Sequence, residues 1–101
     1  MNDTKDIQRV VYKVFDELNA LLSRNERVEK SLEFRISEEL DSLMIINLLV
    51  LTEQKIQEDF GVAIVLTDGR IAVNEIKPLL TMKTYIDYVT FLVGEAEDVQ
   101  R

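Results

Sequence analysis

The sequence contains no cysteine and no histidine, one proline and three glycines. Without cysteine there is no disulfide framework, no thiolate nucleophile and no zinc site of the finger or ribbon type, and the redox compartment stays open. Without histidine the chain lacks the side chain most used for proton transfer near neutral pH and the commonest metal ligand, which excludes histidine-based triads and zinc hydrolase sites. The scarcity of glycine and proline, set beside 47% apolar and 31% charged residues, is the balance of a folded and mainly helical domain. No apolar stretch approaches the roughly 20 residues of a membrane span, and the opening Met1-Asn2-Asp3-Thr4 has no basic n-region. The expectation is a soluble, cytoplasmic protein with no stable membrane insertion.

A length of 101 residues fits one domain over 1–101, with flexible ends at about 1–4 and 95–101, burying roughly two thirds of the surface of its unfolded form. Nineteen acidic against twelve basic residues give a net charge of −7. That balance argues against nucleic acid or an anionic membrane surface as the partner, because both are bound through clustered Lys and Arg; it favours a basic protein partner, although acidity also serves solubility alone. No repeat or low-complexity segment is present.

Ile7, Val10, Val11, Val14, Leu18, Leu21 and Leu22 recur at 3-4 spacing and predict an amphipathic helix over 4–23, with Asn2, Asp3 and Thr4 as cap candidates and Asp3 and Asp6 complementing its dipole. Residues 24–40 read as a long loop pinned to the core by Val28, Leu32, Phe34 and Ile36. The strongest helix begins after Asp41 and runs to Phe60. Its first half is apolar nearly all round, so burial or partner contact is expected there, and Gly61 supplies the left-handed stop. Residues 62–66 are β-branched but have no strand to pair with, and read as an extended linker. Asp68-Gly69 predicts a turn, 71–76 a short helix barred by Pro78, and Met82, Tyr85, Ile86, Val89, Leu92 and Val93 a last helix from near Thr81 to near Gly94 with a frayed tail. Leu18, Ile46, Leu49 and Val89 are expected core residues.

The chemically informative spot is Leu40-Asp41-Ser42-Leu43, a serine between a long loop and a strongly apolar helix. Two structural readings compete for Ser42. It can be a plain N-cap, since serine oxygen satisfies helix N–H groups; or the helix can start earlier, with Ser37 as cap and Glu38 and Glu39 in its first turn, leaving Ser42 an ordinary helical residue.

Asp-Ser-Leu at this position resembles the modification site of acyl carrier proteins. The order of elements around it is similar too: an amphipathic helix, a long loop, a helix opened by Asp41-Ser42-Leu43 and closed by Phe60-Gly61-Val62, a short helix, and a last helix with Thr81-Met82-Lys83-Thr84-Tyr85-Ile86-Asp87-Tyr88-Val89. The likeness covers residues 5–93. Ser42 to Phe60 is about one helical turn longer than in the carriers of primary fatty acid synthesis, which preserves the faces. Glu53-Gln54, Ile56, Phe60-Gly61, Leu66, Asp68, Arg70 and Pro78 resemble a specialised stand-alone type.

The resemblance implies an all-α, acyl-carrier-like four-helix bundle of three longer helices and one short one, a monomer and not an enzyme. It implies 4′-phosphopantetheine, taken from coenzyme A and attached covalently to Ser42 between Asp41 and Leu43, carrying acyl groups as thioesters to enzymes of fatty acid, lipid or secondary-metabolite synthesis. The implied partners are a phosphopantetheinyl transferase (holo-carrier synthase) and acyl-activating, acyltransferase or synthase enzymes, with Met44, Asn47 and Glu39 at the docking surface and Leu43 and Met44 flanking it. A phosphodiester on Ser42 would sit where a helix N-terminus favours anions, and a carrier leaves chemistry to its cofactor and partners. The sequence departs from the family where Met44 and Asn47 replace acidic residues and Glu39 replaces glycine. Negative charge is available instead at Glu38, Glu39, Asp41, Glu53, Glu58 and Asp59, each read first as solvated surface. The space between the helices would admit an acyl chain by resemblance only.

Three other readings stay open at this point. A peptidyl or aminoacyl carrier, including the D-alanyl type, uses the same arm. An unmodified helical interaction domain would use the apolar start of the second long helix as a partner groove. An enzyme using Glu38 and Asp41 as paired carboxylates lacks a second motif to position substrate.

Overall fold

The first long helix turns an apolar stripe of 3-4 period inward. In a computed structural model that describes residues 4–22, 27–68, 71 and 77–99, α1 spans Thr4–Leu21 and buries Ile7, Val10, Val11, Val14, Phe15 and Leu18. The stripe ends one turn before the expected place: Leu21 is 70% exposed, and Phe15 holds the buried position that the spacing had not included. Asn2, Asp3, Ser23 and Arg24 lie outside the described residues.

Residues 27–35 form an irregular segment held on α1. Asn19 accepts from the Val28 N–H at 2.7 Å and donates its own Nδ2–H to the Val28 carbonyl at 3.0 Å. Phe34 meets Phe15 edge-on with ring centroids 6.1 Å apart, and Val28 and Ile36 are buried. The pinning expected of this loop is therefore present, but the loop does not run unbroken to residue 40. A one-turn helix, α2, occupies Ile36–Glu39, followed by a break in which Leu40 (φ −105°, ψ 140°) and Asp41 (φ −77°, ψ 172°) are extended.

Helix α3, Ser42–Phe60, buries Leu48, Leu49, Thr52 and Ile56 and ends at Gly61 with φ 69°. Ile46, expected in the core, is 53% exposed, and burial along α3 lies in its middle and second half instead of its apolar start. The chain then runs extended through 62–66 with Val62, Ile64 and Leu66 inward and Ala63 and Val65 outward. Glu53 holds this run on α3, its Oε2 accepting from the N–H groups of Leu66 (2.6 Å) and Thr67 (3.1 Å) and from the Thr67 hydroxyl (3.2 Å). Half-buried, it is committed to the fold and is not a free surface charge. The turn at Gly69 and the helix expected over 71–76 lie outside the described residues, apart from Ile71, which is buried.

Helix α4, Met82–Val99, continues beyond Gly94 where an end was expected. Val93 is buried and Ala96 packs on the core, and this contact offsets the roughly 1 kcal/mol that glycine costs inside a helix. Its start is closed completely. Of the four N–H groups that a helix leaves without internal partners, Met82 donates to the Phe34 carbonyl (2.8 Å) and Lys83 to the Leu32 carbonyl (3.0 Å). Thr81 and Thr84 satisfy each other, N–H to hydroxyl in both directions, at 3.0 and 3.2 Å. With Ser37 N–H on the Leu79 carbonyl at 2.9 Å, residues 32–37 are sewn to residues 79–83.

The result is an all-α bundle of three longer helices and one short helix, without strands among the described residues. Helix α1 packs on both α3 and α4, and Lys55 on α3 reaches Glu17 on α1 at 3.1 Å. Thr52 is the one fully buried polar residue among those described. It donates to the Leu48 carbonyl at 2.7 Å and accepts from the Tyr85 hydroxyl at 2.8 Å, joining α3 to α4 inside the core.

Two tests follow from these contacts. A Cβ on Gly94 meets nothing within 4 Å, whereas Gly61 holds a positive φ. Gly94→Ala is therefore expected to stabilise the protein by about 0.5–1 kcal/mol, and Gly61→Ala to destabilise it by about 1 kcal/mol, read by urea denaturation. Burial, with the negative Glu53 adding to it, holds the Tyr85 phenol well above its ordinary value. The folded state thus retains a proton that the unfolded chain loses above about pH 10. Stability contributed by Tyr85 is complete below that pH and falls above it by up to about 1.4 kcal/mol per pH unit. Tyr85→Phe, costing about 0.5–1.5 kcal/mol at pH 7, should show a shallower alkaline decline than the parent.

Candidate functional site

The break at Leu40 and Asp41 makes the junction a helix start with a defined cap. Asp41 is the N-cap of α3: its Oδ1 accepts from the Met44 N–H at 2.9 Å and its carbonyl accepts from the Ile45 N–H at 3.0 Å. Ser42 is the first helical residue and is exposed. Its hydroxyl makes no hydrogen bond to any described residue, and neither do the N–H groups of Ser42 and Leu43. Both structural readings of Ser42 are thereby corrected. The cap belongs to the aspartate, because a side-chain oxygen one position earlier reaches the N3 amide. The turn at 36–39 is a separate helix, so Ser42 does not lie inside a longer one.

The geometry at this N-terminus is the inverse of that at α4. There every orphan amide is met by the protein; here one is capped and the next two are left to solvent beside an unengaged hydroxyl. The 19-residue helix behind them contributes a positive end of roughly half a unit charge. An anionic group esterified to Ser42 fits this environment, since Ser42 and Leu43 offer amides, the hydroxyl is reachable, and Asp41 is turned into its capping bond.

The neighbouring residues divide into two sets. Leu43 is 66% exposed. Met44 is half-buried, packs against the core, and with Glu39, Leu40, Asp41 and Phe34 lines a pocket of about 240 Å³ that Arg27 also borders. Asn47 follows one turn on, its Nδ2 lying 3.9 Å from the Met44 sulfur. Glu39, Asp41 and Met44 are thus gathered at one pocket, Asn47 rests on Met44, and Leu43 stands apart in solvent. The spacing had also left out Ile46 and Val50, both exposed and following Leu43 by i+3 and i+7. The signal for them was present in the uncharged run 42–52, whose all-round apolarity does not say which side faces inward.

Glu38 pairs with Arg35 at 3.0 Å, so each member of the Glu38–Asp41 carboxylate pair has another partner. Among the described residues no group of carboxylates is arranged to hold a metal ion, and no helix is long and apolar enough to cross a membrane.

The division between cap and hydroxyl can be measured directly. Asp41→Ala is expected to cost about 1 kcal/mol of stability, while Ser42→Ala should stay within about 0.5 kcal/mol of the parent, by chemical denaturation at neutral pH. Equal losses would return Ser42 to a structural role. No protein-family model, no curated protein and no solved structure matches the chain.

Proposed function

We propose that the chain is a phosphopantetheine carrier of the acyl type, with the arm esterified to Ser42. The observation that supports this best is the exposed Ser42 hydroxyl, relieved of capping by Asp41 and set beside two open amides at the start of a long helix. A serine that must be reached by another enzyme, and must carry a phosphodiester afterwards, needs access and tolerance of negative charge. The bundle of three longer helices and one short helix is consistent with the arrangement that such carriers use.

Attachment is a phosphoryl transfer. The Ser42 oxygen attacks the phosphorus of coenzyme A that bears pantetheine, the pyrophosphate P–O bond breaks, and 3′,5′-ADP leaves with the bonding electrons. The serine proton passes to a base on the transferase, because the adjacent Asp41 carboxylate is held by the Met44 amide. The thiol at the end of the arm then supplies the thioester chemistry. The residues of this chain hold the attachment point still, present it clear of the bundle and stabilise the charge beside it, and they take no proton themselves.

Intact-mass measurement after incubation with coenzyme A and a promiscuous phosphopantetheinyl transferase tests the proposal. The parent is expected to gain one phosphopantetheine and Ser42→Ala none. A folded parent that gains nothing, under conditions that modify a control carrier, would sink the carrier reading and bring forward an unmodified interaction domain.

A further inference from the structure

From Ser42 to Thr52 the chain has no charged residue, although 31% of the whole sequence is charged. Its outward face carries Leu43 (66% exposed), Ile46 (53%) and Val50 (37%), which form one ridge by i+3 and i+4 spacing. The core is already supplied from the other side of the helix by Leu48, Leu49, Thr52 and Ile56, so the ridge is not buried by this fold. An exposed Leu43 alone would be ordinary; three large apolar side chains in line over two turns, beginning beside the hydroxyl, are not.

The ridge has a charged edge at one end only. Glu38, Glu39 and Asp41 stand exposed just before Ser42. Arg35 neutralises Glu38 at 3.0 Å, which leaves Glu39 and Asp41 as the net negative edge. Any enzyme whose active centre reaches the Ser42 hydroxyl must cover the first turns of α3, and so must meet an uncharged apolar ridge with a short acidic border. The complementary surface is an apolar, uncharged groove with a cationic rim on the side of Glu39.

We infer that the ridge Leu43–Ile46–Val50 is the docking surface for the enzyme that acts at Ser42, and that this enzyme holds α3 by an apolar groove and not by a basic field. The inference rests on the carrier reading and deepens it by naming the chemistry of the partner surface. It also revises the expectation of a basic partner: the overall charge of −7 acts at long range, while the contact itself is apolar. Salt screens the first and leaves the second nearly unchanged.

The test is the steady-state rate of phosphopantetheine transfer, followed by intact mass with coenzyme A and the promiscuous transferase, for the parent, Ile46→Ser, Val50→Ser and the control Phe91→Ser. Phe91 is comparably exposed at 60% but lies on α4, and thermal melts confirm that each variant is folded. Ile46→Ser is expected to raise KM for the carrier roughly tenfold with kcat little changed, Val50→Ser to raise it less, and Phe91→Ser to leave it alone. For the parent, KM should change less than about threefold between about 0.05 and 0.5 M salt. A modified parent whose Ile46→Ser variant keeps the parental KM, or whose KM climbs steeply with salt, overturns the apolar docking surface and leaves the carrier reading intact. A parent that gains no mass overturns the carrier reading and this inference with it. Sedimentation as a dimer that Ile46→Ser dissociates would assign the ridge to a second copy of the chain and likewise overturn it.

Discussion

The backbone bonds at the start of α4 are the constraint on which the site depends. A helix N-terminus has four amides to satisfy, and here two of them are met by the carbonyls of Leu32 and Phe34, far away in sequence. That choice fixes the path of the irregular segment, because a carbonyl pointed at α4 cannot continue a local helix. Once Phe34 is placed, its ring meets Phe15, Ile36 drops into the core, and the Ser37 amide finds the Leu79 carbonyl. The single turn of α2 is what remains possible between those anchors. The extended Leu40 and Asp41 then let α3 begin afresh with its own cap.

Helix α3 divides its work along its length. Its middle and second half hold the bundle: Thr52 meets Tyr85 inside the core, Lys55 reaches Glu17, and Glu53 takes the amides of Leu66 and Thr67. Its first two turns contribute less to the interior and leave Leu43, Ile46 and Val50 outside. Sequence position and stability are therefore separated. Side chains near Ser42 can be chosen for what they present, since the bonds that keep α3 in place lie one to three turns further on. The same separation explains why a strongly apolar stretch is tolerated at the surface: the net charge of −7 opposes non-specific association of the molecule as a whole.

The sequence was legible where one physical signal decided the outcome. The inward stripe of α1, the stop at Gly61 and the alternation of Val62, Ile64 and Leu66 each follow from periodicity or backbone freedom alone, and the structure has all three. It was not legible where two signals coincided or where distant residues decided. A four-residue helix such as α2 has no period to read, and its anchors are distant backbone groups. A helix apolar all round cannot say that Leu48 is inside and Ile46 outside. Gly94 looked like an end because glycine weakens helices, but the packing of Val93 and Ala96 outweighs so small a penalty. At the site, the place of Ser42 was clear, but the adjacent aspartate and serine are equally good caps. Only the fold distinguishes them.

That distinction bears on why the two residues stand side by side. If the serine oxygen capped α3, esterifying it would remove an acceptor from the Met44 amide and unsettle the helix that presents the modification. With Asp41 as cap, the acceptor is a carboxylate, which favours the positive end of the helix dipole and which no chemistry at Ser42 alters. The hydroxyl one residue on bears no structural load, and the open amides of Ser42 and Leu43 are met by water before modification and stand beside the phosphodiester after it. The fold thus costs the site nothing when Ser42 changes state, which is the condition for a carrier to be the same molecule before and after its arm is attached.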